Sequence, residues 1–137
     1  MRRSEEIEQA GEHLRFIARE LFRNGGKVYK PASNDINIDK RVEVIDGPVS
    51  VPRNAYSILA KPKAKLIENP NVDSDKWVEV RYLTERGDPE DFTLISREDG
   101  RETERQSFNV QREEEVEKER DKAARRAVEM LNDVNPF

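Results

Sequence analysis

The stretch 77-WVEVRYL-83 decides the fold. Val78, Val80 and Tyr82 alternate with Glu79 and Arg81, so an extended backbone sends the apolar side chains to one face and the charged ones to the other. The next runs repeat the pattern. In 91-DFTLIS-96, Phe92 and Leu94 continue the apolar face, and in 107-SFNV-110 Phe108 and Val110 do the same. The segments between them, "TERGDPE" and "REDGRETE", are short and rich in turn residues, which predicts hairpins and an antiparallel meander. Upstream, "KVYK" at 27–30 and "RVEVI" at 41–45 read as further strands.

A sheet with one apolar face needs a cover, and the two ends of the chain supply it. Ile7, Ala10, Leu14, Ile17 and Leu21 recur at spacings of three and four, and Ser4 and "NGG" at 24–26 mark the limits of a helix over residues 4–24. A second stripe, Val116, Ala123, Ala127, Met130 and Val134 with Arg120 among them, predicts a helix over 112–133. The large residues of the first stripe are expected to pack on the small alanines of the second. The fold class is therefore α+β: one domain over 1–137, with an antiparallel sheet (a meander, 27–110 mainly β) packed against N-terminal and C-terminal amphipathic helices.

The 137 residues suit one core. With 34% hydrophobic and 39% charged residues, that core is small and much of the chain is solvated. There is no cysteine, which excludes disulfides, thiolate nucleophiles and sulfur-ligated zinc. The N-terminal stretch has no apolar run long enough for a signal peptide or a membrane span, so a soluble, cytoplasmic protein without membrane contact is expected. Charge is unevenly spread. Residues 26–66 hold eight bases and four acids, residues 67–137 twelve bases and twenty acids. That layout bears on partners more than on fold.

Within the basic middle lies 55-AYSILAKPKAKLIENP-70, with Lys61, Lys63 and Lys65 at alternate positions around Pro62. Proline has no N–H for a central ladder and lysine discourages edge pairing, so the first expectation is a protected edge strand. The second is a polyanion grip in which Arg53, Tyr56, Lys61, Lys63 and Lys65, with Trp77 or Tyr29 near them in the fold, supply phosphate neutralisation and stacking rings.

Other motifs weigh less. "DINID" at 35–39 spaces oxygens as a calcium loop does, but Lys40 stands where the turn needs glycine and Arg41 adds positive charge, so a polar loop is expected. His13, the only histidine, lies at the border of the first stripe, where a helix-flank role is expected. Arg86, Gly87 and Asp88 read as a hairpin turn. No phosphate loop, nucleophile elbow or zinc-helix signature occurs, and neither cofactor nor metal is expected. Phe16 falls about 180° from Ile7 on the helical wheel, which points to a partner. The expectation is a non-enzymatic protein-binding or assembly module, a homo-oligomer or hetero-complex of the kind found among viral or phage accessory proteins. Its interface would include Phe16, Phe22, Val116, Arg120 and Ala123; nucleic-acid binding through segment 53–65 is the alternative.

Overall fold

A computed structural model describes residues 2–33, 36–45, 55–62, 76–83 and 91–132. In chain order these form α1 (Arg2–Arg23), β1 (Gly26–Pro31), β2 (Glu43–Ile45), β3 (Ala55–Pro62), β4 (Lys76–Leu83), β5 (Asp91–Glu98), β6 (Arg101–Asn109), a 3₁₀ turn at Glu113–Glu115, and α2 (Val116–Asn132). The six strands make one sheet in the order β2-β1-β3-β4-β5-β6. All neighbours run antiparallel except β1 and β2, which are parallel. Strands β3 to β6 follow one another as a meander, and the α+β class holds.

The lysine-bearing strand is not an edge. β3 pairs with β1 on one side and β4 on the other, and among the described residues the edges are β2 and β6. Pro62 is tolerated because it is the last residue of the strand, opposite Gly26 and beyond the final β4 pair at Ala60 and Val78. Charge and shortness protect the true edges: β2 has three residues, and β6 reads RETERQSFN with most positions exposed.

α1 ends as its sequence dictates. Asn24 turns its side-chain amide back to the Glu20 carbonyl at 2.7 Å, and Gly25 takes φ +85, a left-handed cap that glycine adopts without Cβ strain. Gly26 serves packing instead, since a Cβ there would lie 2.8 Å from Leu131 Cδ2 and 2.9 Å from the Leu21 carbonyl oxygen. The β5–β6 hairpin is tighter than its polar sequence suggests. Its turn is only Asp99-Gly100, with φ of 52 and 81, the pairing that two-residue hairpins favour.

Even-numbered strand residues face the helices. Val28, Ile58, Ala60, Val78, Val80, Tyr82, Phe92 and Leu94 join Ala10, Leu14, Ile17 and Leu21 of α1 and Ala123, Ala127, Met130 and Leu131 of α2 in one buried cluster. Cross-strand register places Tyr56, Tyr82, Phe92 and Phe108 in one aromatic row under the helices, with Tyr82 and Phe92 centroids 5.1 Å apart. The loop before β2 adds Ile36 and Ile38, at 1% and 5% exposure, so the segment expected to be merely polar contributes to the core. Lys30 Nζ donates to the Ile36 carbonyl at 2.7 Å and Arg15 Nη1 to that of Asn37 at 2.8 Å, which fixes this loop on the helix side.

Candidate functional site

The odd-numbered residues build the other face of the sheet. Register aligns Tyr29, Leu59, Glu79, Ile95 and Arg105 in one row across five strands, and Ser57, Arg81, Thr93 and Ser107 in the next. A third row, toward the start of β4, runs through Lys27, Lys61, Trp77 and Arg97 and, because a β-bulge at Ser96/Arg97 shifts the β6 register by one residue, reaches the even-numbered Glu102. Leu59 and Ile95 are fully buried yet stand outside the helix-side cluster.

At the centre Glu79 is 0% exposed. Arg97 Nη1 donates to its Oε1 at 2.6 Å and Arg81 Nε to its Oε2 at 2.5 Å, while the two arginine side chains keep 16% and 13% exposure. Two guanidiniums on one carboxylate leave the group net positive, and they satisfy the buried oxygens that alternation alone would send to water. Arg105 reaches Glu102 at 2.7 Å, and this hydrogen bond holds the Glu102 carboxyl below its usual range.

The third row combines rings and cations. Trp77 meets Tyr29 edge to face with centroids 5.3 Å apart, Lys61 Nζ sits 4.4 Å above the Trp77 ring, and Lys27 Nζ lies 5.4 Å from the Tyr29 centroid. Lys27 also pairs with Glu43 of the edge strand at 3.1 Å. Trp77 Nε1 is buried and has no hydrogen-bond partner among the described residues.

The sequence-derived site residues that the structure describes fall on both faces of the sheet. Lys61 lies on the face opposite the helices with its Nζ over the Trp77 ring, whereas Tyr56, of opposite parity, faces the helix side and packs on the core. Arg53, Lys63 and Lys65 lie outside the described residues, as does Arg86-Gly87-Asp88. Of the residues singled out for a protein interface, Val116 and Ala123 are 5% and 0% exposed within the chain. Phe16 packs against the core with the Arg120 guanidinium 4.0 Å from its centroid, and Phe22 is covered in the same way by Arg41 at 4.4 Å. α1 and α2 thus close on each other, and Phe16, the aromatic that pointed to a partner, is covered from within.

His13 is buried at 6% exposure rather than on a helix flank. Its ring sits 5.3 Å from Tyr82 and 5.8 Å from Phe92, with Nδ1 3.5 Å from Arg120 Nη1. Burial, reinforced by the Arg120 charge, pushes its pKa below the ordinary 6.5. In the calcium-like segment, Asp39 is bound by Arg41 through both side chain and backbone, which holds its carboxyl at about 2. Among the described residues no group of three or more histidine, cysteine or acidic side chains is gathered as a metal site, and no helix is long and apolar enough to cross a membrane. No protein-family model, no curated protein and no solved structure matches this chain.

Proposed function

We propose that this protein is a non-enzymatic binding module, that its ligand surface is the sheet face carrying Lys27, Tyr29, Lys61, Trp77 and Arg97, and that its ligand is single-stranded nucleic acid. The observation that carries the reading is the alternation of cations and rings in one corner: two lysines, two aromatic rings and an arginine on three adjoining strands and a fourth beyond them. Unpaired bases stack on flat rings at about 1–3 kcal/mol each, and ammonium groups beside those rings neutralise the phosphates that accompany them. Lys61 already covers the Trp77 ring, so a stacking base exchanges with it and leaves the ammonium to follow the phosphate.

The test is fluorescence anisotropy of labelled single-stranded and double-stranded DNA and RNA at two salt concentrations. Single strands should bind more tightly, affinity should fall with salt, and a Lys27→Gln, Lys61→Gln double variant should flatten the log–log salt slope by about 1.4, two phosphate contacts on a single strand. Absence of binding to every strand at low salt refutes the reading.

A second reading, assembly, is favoured by a different observation. Val44 is 57% exposed on β2, the only large apolar side chain so exposed among the described residues, and it sits on an edge strand with its outer side unpaired there. Light scattering discriminates: a stable oligomer lost in Val44→Lys supports assembly through this edge, and a monomer at all concentrations removes it.

A further inference from the structure

The arginine at the corner of the candidate surface has one guanidinium nitrogen committed and two open among the described residues. Arg97 spends Nη1 on the buried Glu79, and its Nε and Nη2 meet no acceptor among the described residues. Those two nitrogens form one edge of the guanidinium, the fork that fits two oxygens of a phosphate. Glu79, sealed from solvent and held on its other oxygen by Arg81, acts as the fixed post against which that fork is set. Directly opposite Arg97 in the β4–β5 register stands Trp77, whose buried Nε1–H meets no acceptor among the described residues. A buried donor without an acceptor is unfavourable, and this one belongs to the residue paired with Arg97 across the β4–β5 ladder. Glu102, the acid facing Arg97 from β6, is engaged by Arg105 and does not occupy the fork.

We propose that Arg97 Nε and Nη2, with the Trp77 Nε1–H beside them, form an oxyanion subsite that takes one phosphate group. The proposal deepens the nucleic-acid reading and rests on it for the source of the phosphate, a phosphodiester of the bound strand; the subsite chemistry itself is the same for free phosphate. Its arginine supplies two parallel donors, its tryptophan a third, and Lys61 above the indole ring adds positive potential without being required as a ligand.

Trp77 is the single tryptophan of the chain, so its emission reads the subsite directly. The full chain is titrated with inorganic phosphate, with a nucleoside monophosphate and with a thymidine oligonucleotide, at ionic strength held constant with chloride. The expected result is a saturable emission change with phosphate and with the oligonucleotide, and its weakening by about tenfold in Arg97→Lys, which keeps the charge beside Glu79 but loses the fork. Should Arg97→Lys fail to fold by circular dichroism, Trp77→Phe, followed by calorimetric titration, replaces it and should weaken phosphate binding about threefold. No saturable response to phosphate, while the oligonucleotide still binds, overturns the subsite and leaves the nucleic-acid reading standing. Saturable phosphate binding that the folded variant does not weaken also overturns it. Phosphate binding lost in the variant, with no oligonucleotide binding, upholds the subsite for a free phosphate ligand and removes the polynucleotide.

Discussion

The two faces of this sheet share every strand and almost nothing else. Under the helices, Val78, Val80, Tyr82, Phe92 and Leu94 are buried among apolar neighbours, and stability comes from surface removed from water and from close packing. On the opposite face, one residue away along the same strands, Glu79 is buried as completely, but by two guanidiniums. The first face tolerates changes of polarity poorly and changes of shape by degrees. The second also buries Leu59 and Ile95, but at Glu79 it depends on charge being matched.

The largest test of that contrast sets one residue from each face side by side. Phe92→Ala should cost about 4 kcal/mol and Phe92→Leu much less, because the smaller apolar group refills part of the cavity. Glu79→Ala should cost about 3 kcal/mol, toward the low end for a broken buried pair because Arg81 and Arg97 keep some access to water, and Glu79→Leu should recover none of it. Urea denaturation midpoints measure all four. A stable Glu79→Leu would mean the triad is not what holds the second face.

Gly26→Ala probes how closely the helices approach the first face. The added methyl meets Leu131 and the Leu21 carbonyl, so a loss of about 2 kcal/mol in the same denaturation assay is expected, from overpacking rather than from a lost contact. Restoration by a second change, Leu131→Ala, would locate the strain.

The helix side also carries the pH dependence. His13 is buried with Tyr82 and Phe92 against it from the sheet, Arg120 and Glu117 from α2 and Glu12 from its own helix, and its folded pKa lies below 6.5. Between the folded and unfolded values the unfolded chain binds the extra proton. The stability that neutral His13 contributes is therefore fully present above about pH 6.5 and is lost as pH falls through the folded value. Thermal midpoints from pH 7.5 to 5 should decline, and the decline should be shallower in Arg120→Gln, which removes the neighbouring charge and lets His13 protonate at less cost.

The smallest effect is expected at the rim of the second face. Lys27 and Glu43 are each about half exposed, so Lys27→Ala should change stability by less than about 0.5 kcal/mol even though it alters ligand affinity. A larger loss would place Lys27 in the frame of the protein rather than on its binding surface.

Much of this was legible in advance because it depends on short-range periodicity. The alternation at Val78, Val80 and Tyr82, the stripe from Ala10 to Leu21 and the alanines of α2 each fix a face by local geometry. The misreadings have a common source. Proline and alternating lysines look like an edge, but whether a strand is flanked on one side or two depends on partners far along the chain, and β1 comes from thirty residues upstream to close β3. Glu79 obeys the alternation that promises solvent, and only the convergence of Arg81 and Arg97 from two strands explains its burial. His13 and Leu131 each stand one position off an ideal stripe, where the breadth of the helix-to-sheet contact decides the outcome.

For the candidate surface the division is the same. Lysines in the middle of the chain and the possibility of Tyr29 and Trp77 near them were readable from residue type, since cations and rings are what a single strand requires. That Tyr56 turns away and Arg97 takes its place was not, because parity is set by register. The sequence by itself determined the elements, the apolar face and the absence of thiol chemistry, all of which depend on residue identity and spacing of two to four. Tertiary structure alone decided which strand is central, which charges are buried together and which rings meet which cations, because pairing between strands tens of residues apart leaves no periodic trace in the chain.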